Sequence, residues 1–385
     1  MNNFIYENKT KVYFGKNGVK EYLGSLLAKY GDTVMLAYGG GSIKHNGVYD
    51  EVTGILKAAG KKIVEFGGIM PNPTYAKVQE GAKLVRENSV DLILAVGGGS
   101  VSDCCKVISA QANIGEDLWE MEYAKHTFPT KFIPLGTIVT VFGTGSEMNN
   151  GAVITHEDKK IKGALWGAQA DFAFLDPDYT LSVPMKQVIS GAFDTLSHAM
   201  ETYFGKPDDN NLSDDINEAV MRSTIRNIRV LLRDPQNYEA RSELAWASAM
   251  AENGILKIGK ITDFQCHMLE HQLGAYTDCN HGAGLAVLHP VLYRHIYKEG
   301  AARFARFAQN VWGITAESSE DETALAGIDA LADFIKEIGM PTTFTELGIS
   351  ADTDLRAVAD STVITAGCCK KLSHEEIYEI LCECR

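Results

Sequence analysis

No run of apolar residues in this 385-residue chain approaches the ~18 that a membrane-spanning helix needs. The opening Met1-Asn2-Asn3-Phe4 lacks the charged stretch followed by an apolar stretch that marks a signal peptide. Of the eight cysteines, three neighbouring pairs are adjacent or one residue apart (Cys104 and Cys105, Cys368 and Cys369, Cys382 and Cys384). That spacing suits neither a disulfide framework nor a CxxC zinc ribbon, and reduced thiols in a cytoplasm follow. There is no basic stripe: the 36 Lys and Arg are outnumbered by 50 Asp and Glu, and the formal net charge is −14. This excludes a nucleic-acid or anionic-membrane partner. Repeats, low-complexity segments and a long linker are also missing. What is present, 45% hydrophobic and 22% charged residues, is the composition of an ordinary globular protein, long enough for roughly two domains.

The chain reads as two textures. In the first, residues 3–14 place β-branched and aromatic residues on either side of Glu7-Asn8-Lys9-Thr10, as in a β-hairpin. Continuous apolar runs at 33–38 and 92–96 and a further strand at 62–66 follow, separated by helical periodicity at 19–29, 47–59 and 74–88. Runs without alternation suit strands buried on both faces, and their spacing predicts βαβ units in an α/β domain. Further strands are expected at 152–155 and 172–175. After Ser182-Val183-Pro184, a helix start, almost no period-2 pattern remains. Helices are expected at about 185–204, 213–233, 236–257, 262–275, 282–297, 299–312, 319–338 and 373–382. The expected fold is therefore an α/β N-terminal domain, 1–180, plus an all-α C-terminal domain, 181–385.

Two of the buried strands run into glycines. Gly97-Gly98-Gly99-Ser100 lies between a strand and a helix, where a backbone can approach a pyrophosphate and a helix N-terminus offers N–H groups. The spacing is not GxGxxG, and a tight glycine turn is the plainer alternative. Gly39-Gly40-Gly41-Ser42 forms a second such turn. It carries no acidic residue for the adenosine ribose, but has Ser42 with Lys44 nearby, which favours NADP(H) over NAD(H). Thr137, Thr140, Thr144 and Ser146 could donate to phosphates or to a nicotinamide amide, and Lys160 could contact phosphate or ribose. Each could equally be a solvated loop residue.

In the helical half, Asp194 and His198 are four apart, so both fall on one helix face. His267 and His271 repeat the spacing, and His281 follows. One carboxylate and three imidazoles suit Fe²⁺ or Zn²⁺. The set is Asp194, His198 and His267 with either His281 or His271; if His281 is the fourth ligand, His271 stands beside the metal as a candidate proton shuttle. Any single His here could instead be a satisfied structural residue. His45, His126, His156, His289, His295 and His374 have no partner at ligand spacing and read as surface or core residues.

Taken together, these blocks resemble the iron-containing (group III) alcohol dehydrogenase family in its butanol dehydrogenase-like branch, over essentially the whole chain. The likeness runs through Phe14-Gly15-Lys16, Tyr38 to Ser42, Gly68 to Pro73 including Asn72, Ala95 to Asp103, and Gly143 to Asn149. It continues through Phe174 to Pro177, Asp194 to His198 with Glu201, His267 to His271, and Asn280 to Ala286 with Pro290. The resemblance implies a dehydroquinate-synthase-like fold and NAD(P)-dependent alcohol/aldehyde interconversion on small alcohols and aldehydes. It also implies a metal held by Asp194, His198, His267 and His281, and a homodimer as the minimum assembly. It extends the cofactor-binding set to Asn72, Asp103 and Asn149. Many members carry glycine three residues before the first His of the second metal block; here that residue is Phe264, which could narrow the pocket.

Other readings share parts of this pattern. A dehydroquinate-synthase-type lyase or a glycerol-dehydrogenase-like enzyme would share fold, metal and nucleotide. The lyase needs several basic residues for its anionic substrate, and 186–204 and 262–289 offer little beyond Lys186 and the histidines. A non-catalytic metal-binding scaffold leaves the glycine turns unexplained.

Overall fold

The computed structural model describes residues 1–315, 319–367 and 369–385. Six strands form an all-parallel sheet in the order β1 (Lys11–Phe14), β8 (Phe172–Leu175), β5 (Leu135–Val139), β4 (Leu92–Gly97), β2 (Thr33–Tyr38), β3 (Lys62–Phe66). The remaining strands, β6 (Gly151–His156) and β7 (Ile161–Trp166), form a separate antiparallel pair. The unbroken apolar runs have a direct cause. Alternate residues of one strand feed opposite cores, Met35 and Ala37 on one face of β2, Val34 and Leu36 on the other. Helices Tyr75–Asn88 and Gly99–Gln111 cover the first face and Val48–Ala58 the second.

Residues 3–14 do not form a hairpin. Only Lys11–Phe14 is a strand, and it pairs in parallel with β8, Tyr13 stacking on Phe174 at 4.9 Å. A lone two-stranded hairpin buries too little to persist, whereas the sheet edge offers the Tyr13 ring a core. Met1–Tyr6 instead joins the helical part of the chain, the Asn2 N–H donating to Gly259 O at 3.0 Å.

The chain divides into two compact units, Glu7–Pro184 and Met185–Arg385, the latter including Met1–Tyr6. The helical unit has one large apolar core in which Phe193, Leu196, Leu269, Leu285 and Leu288 are fully buried. Its long helices are Met185–Tyr203, Leu212–Arg233, Tyr238–Glu252, Gln265–Thr277, His281–Ile296, Ala301–Trp312, Glu320–Glu337 and His374–Glu383. Shorter ones, Phe344–Leu347 and Leu355–Ser361, have too few turns to leave a periodic signal.

The seven described cysteines are free thiols; Cys368 lies outside the described residues. No described helix is long and apolar enough to cross a membrane. Within the sheet, a Cβ on Gly136 would meet the Phe172 ring at 2.2 Å. Gly136→Ala therefore overpacks the core by one methyl and should destabilise the sheet unit by about 1–3 kcal/mol, read as a lowered thermal midpoint with unchanged secondary structure.

Candidate functional site

The helical unit brings together side chains from three helices. Helix Met185–Tyr203 carries Asp194, His198 and Glu201 on one face; Gln265–Thr277 carries His267, Glu270 and His271; and His281 is the first residue of His281–Ile296. The last helix starts where Asn280 caps it, accepting from the Ala283 N–H at 3.1 Å. Gly282 lets it come close: a Cβ there would lie 2.3 Å from Ser190 O.

Asp194 is at the centre. Its Oδ1 lies 3.4 Å from His267 Nε2, 3.4 Å from His281 Nε2 and 3.6 Å from His198 Nδ1. Ligand atoms of Asp194, His267 and His281 lie within 4.8 Å of one another. His198 stands at the side of this trio, its ring stacked on His267 at 4.4 Å. Asp194 Oδ1, His198 Nδ1 and His267 Nε2 are buried with no hydrogen-bond partner among the described residues. Buried polar atoms are ordinarily satisfied, so these orphans mark a place for a cation.

Each of two imidazoles is held from behind by a buried carboxylate. His267 Nδ1–H donates to Glu201 Oε1 at 2.5 Å, and its backbone N–H donates to Glu201 Oε2 at 3.2 Å. His281 Nδ1–H donates to Glu270 Oε2. These bonds set the tautomer that leaves each Nε2 lone pair facing Asp194, the arrangement that orients metal-bound histidines. Glu201 is itself held: the Ser197 hydroxyl donates to Oε1 at 3.1 Å and accepts from His289 Nε2–H at 2.6 Å. Burial pushes His289 down to about 4, so it is neutral and fit for this donor role. Burial alone would raise the Asp194 carboxyl, but the neighbouring imidazoles of His198 and His281 hold it well below its ordinary value. One ionised carboxylate and three imidazole nitrogens, two of them oriented by carboxylates, fit a divalent iron or zinc ion.

His271 is one turn past His267. Its ring lies 5.9 Å from that of His267 and 5.5 Å from that of His281. With Glu270 and His281 it forms a second close group of candidate ligand atoms. His289, expected to lack a partner at ligand spacing, is a buried member of the network through Ser197. Phe264 precedes helix Gln265–Thr277 with φ 55°, in the left-handed region, its ring 5.0 Å from His267 and 5.9 Å from His198. A glycine takes this conformation without cost, whereas a bulky residue is strained there.

In the sheet unit, β2 and β4 are adjacent, and the chain leaves β2 on one side to form β3 and returns on the other as β4. Ligands of open α/β sheets bind at the carboxyl ends of strands at such a reversal. Both glycine turns are there. Gly41 has φ 99°, and a Cβ on Gly40 or Gly41 would meet nothing within 4 Å. Helix Gly99–Gln111 begins at the other turn without a side-chain cap, the Val101 and Ser102 N–H groups donating to Gly98 O at 3.1 and 3.2 Å. Thr144 lies over Gly99, where a Cβ would come within 2.3 Å of its Oγ1. Thr140 follows β5, its N–H donating to Gly97 O at 2.9 Å. Gly39 O accepts from the Gly68 N–H at 3.0 Å, which brings the segment leading to Asn72 to the same sheet end.

Other expected cofactor residues are engaged within the protein. Asp103 accepts from Ser146 Oγ at 2.5 Å and from the Val153 N–H at 2.9 Å. Asn149 accepts from the buried Lys106 Nζ at 2.9 Å. Thr137 is buried inside β5, and Lys160 (φ 50°) is in the β6–β7 turn. Glu201 and Glu270 are the site residues whose part the sequence reading left unassigned. Their signal was present: Glu201 is one helical turn past His198, and Glu270 one turn past Cys266 beside the His267 pair.

A scan of family models matches "Iron-containing alcohol dehydrogenase" at residues 9–177 and "Fe-containing alcohol dehydrogenase family, C-terminal" at residues 188–384. The chain belongs to the iron-containing alcohol dehydrogenase family, a class of NAD(P)-dependent oxidoreductases. Its place is in the butanol dehydrogenase-like branch. It is 38% identical to the NADH-dependent butanol dehydrogenase A of Clostridium acetobutylicum over 387 residues, 99% of each chain. It is also 38% identical to the NADPH-dependent aldehyde reductase YqhD of Escherichia coli over 356 residues, 91% of this chain and 90% of that one. Among solved structures, NADH-dependent butanol dehydrogenase A of Thermotoga maritima superimposes with a TM-score of 0.94 at 34% identity, covering 100% of this chain and 99% of that one. The α/β-plus-helical fold expected from the sequence is the fold of these proteins.

Removing a carboxylate that orients a metal-bound His costs about 10–100-fold in metal affinity. Glu201→Gln and Glu270→Gln should each weaken iron retention by that factor in competition with a chelator, with helical content unchanged.

Proposed function

We propose that the protein interconverts small primary alcohols and aldehydes of the butanol/butanal kind with a nicotinamide dinucleotide, NADP(H) in preference to NAD(H). The observation that carries this reading is the set of buried, unpartnered ligand atoms on Asp194, His198 and His267, the last with its tautomer fixed by Glu201. The names of the relatives support the substrate class and include both NADH- and NADPH-dependent proteins.

In this reading Asp194, His198, His267 and His281 hold iron, with zinc as the other ion the donors accept. The bound ion supplies Lewis acidity at the substrate oxygen, and the nicotinamide supplies or takes the hydride. Gly97, Gly98, Gly99 and Ser100 bind the pyrophosphate through backbone N–H groups. Gly39, Gly40 and Ser42 face the adenosine ribose, and Asn72, Thr140 and Thr144 border the same sheet end. Asp103 and Asn149 brace this end from within, while Thr137 and Lys160 complete the proposed cofactor set. His271 passes a proton through a ring nitrogen to or from the substrate oxygen. The two domains expected at 1–180 and 181–385 then serve dinucleotide and metal binding, with their compact units at Glu7–Pro184 and at Met185–Arg385 with Met1–Tyr6.

We further propose a homodimer in the cytoplasm. The exposed Phe4, Ile5 and Tyr6 support self-association, and the free thiols support a reducing compartment.

His267→Ala should lose bound iron and aldehyde-dependent NAD(P)H oxidation together, yet bind the dinucleotide within about twofold of the unaltered protein. Metal analysis, NAD(P)H absorbance with a panel of aldehydes with and without chelator, and nucleotide fluorescence measure the three quantities. Full activity in chelator-stripped protein would overturn the reading.

A further inference from the structure

The sequence shows no acidic residue in the Gly39–Ser42 turn, but the sheet supplies one from the next strand. Glu65 in β3 pairs in register with Leu36 of β2, two residues before the strand ends at Tyr38. There it gathers three side chains. Tyr38 OH donates to Oε2 at 2.7 Å, Tyr49 OH donates to Oε1, and Lys44 Nζ lies 3.6 Å from Oε2. The Lys44 ammonium also sits over both rings, 4.8 Å from the centre of Tyr38 and 4.7 Å from that of Tyr49. The rings meet edge to face at 5.9 Å, so a carboxylate and two aromatic faces enclose one cation. Room for Tyr38 depends on Gly67, where a Cβ would strike the ring at 2.7 Å.

The hydroxyls of Tyr49 and then Tyr38 hold the Glu65 carboxyl below its ordinary range, so it is charged at neutral pH. The cluster remains reachable: the Lys44 and Glu65 side chains are 44% and 45% exposed. Beside it, the space above Gly40 and Gly41 is open.

We propose that Glu65 is a specificity-determining residue for the dinucleotide: by engaging Lys44 it limits what the site gains from a phosphate on the adenosine 2′ position. A 2′-phosphate is a near-dianion, which the Glu65 carboxylate repels and with which it competes for the one ammonium. A 2′-hydroxyl carries no charge, so the carboxylate does not repel it and it gains little from the ammonium. The carboxylate therefore narrows the preference for the phosphorylated nucleotide without abolishing it. This rests on the reading that the Gly39–Ser42 turn takes the adenosine ribose.

The test is the dissociation constants of NADPH and NADH, read by nicotinamide fluorescence on the full-length iron-loaded protein without substrate. Glu65→Gln should tighten NADPH roughly three- to tenfold, the scale of a partly exposed charge interaction, and leave NADH within about twofold. Lys44→Met should weaken NADPH and, in the double variant, erase the gain. A merely structural role would move both nucleotides together along with the thermal midpoint. That result, or an NADPH-to-NADH ratio identical in the unaltered protein and Glu65→Gln, would overturn the proposal. Failure of the unaltered protein to bind either nucleotide would overturn the underlying nucleotide reading, and this one with it.

Discussion

Every imidazole has two edges, and the helical unit depends on which edge is spoken for. Buried carboxylates occupy one edge of His267 and His281, and what remains is a pair of lone pairs aimed at Asp194. The requirement propagates outward. Glu201 can stay ionised in the core only because His267, Ser197 and, behind it, His289 surround it. The helices therefore cannot slide past one another without stranding a charge in an apolar medium, a loss worth several kcal/mol. Packing and ligand geometry are set by the same contacts.

The sheet unit solves a different problem. A dinucleotide needs backbone donors and open space at one sheet end, and a parallel sheet delivers them by bringing consecutive strand ends together. The apolar interior of β2 and β4 holds the two glycine turns in place at the end of the sheet. Charge discrimination is left to the rim, where Lys44, Tyr38, Tyr49 and Glu65 meet.

Much of this was legible in the residue pattern. Apolar runs without alternation announced strands covered on both faces, and Asp194 with His198, or His267 with His271, announced helix faces that could share a cation. What was not legible came from contacts between distant segments. Glu65 reaches the glycine turn through strand pairing, which no local spacing reveals. The Glu201–Ser197–His289 chain joins Ser197 to a residue 92 positions away, so His289 looked solitary. The hairpin expected at 3–14 does not form because β8, far off in sequence, offers Tyr13 a better partner than the residues before the polar turn. Phe264 shows the converse: a departure from the family's glycine became intelligible once its backbone proved left-handed, since that is the conformation a glycine adopts freely.

The segment Met1–Tyr6 precedes the sheet unit in the chain yet belongs with residues that follow it. On the ribosome the sheet unit, Glu7–Pro184, is contiguous and can complete its core as soon as β8 has been made. The first six residues must then wait for Gly259 before Asn2 finds its acceptor. The contact of Asn2 with Gly259 joins segments on either side of the sheet unit in the sequence, which makes it a long loop closure rather than a local one.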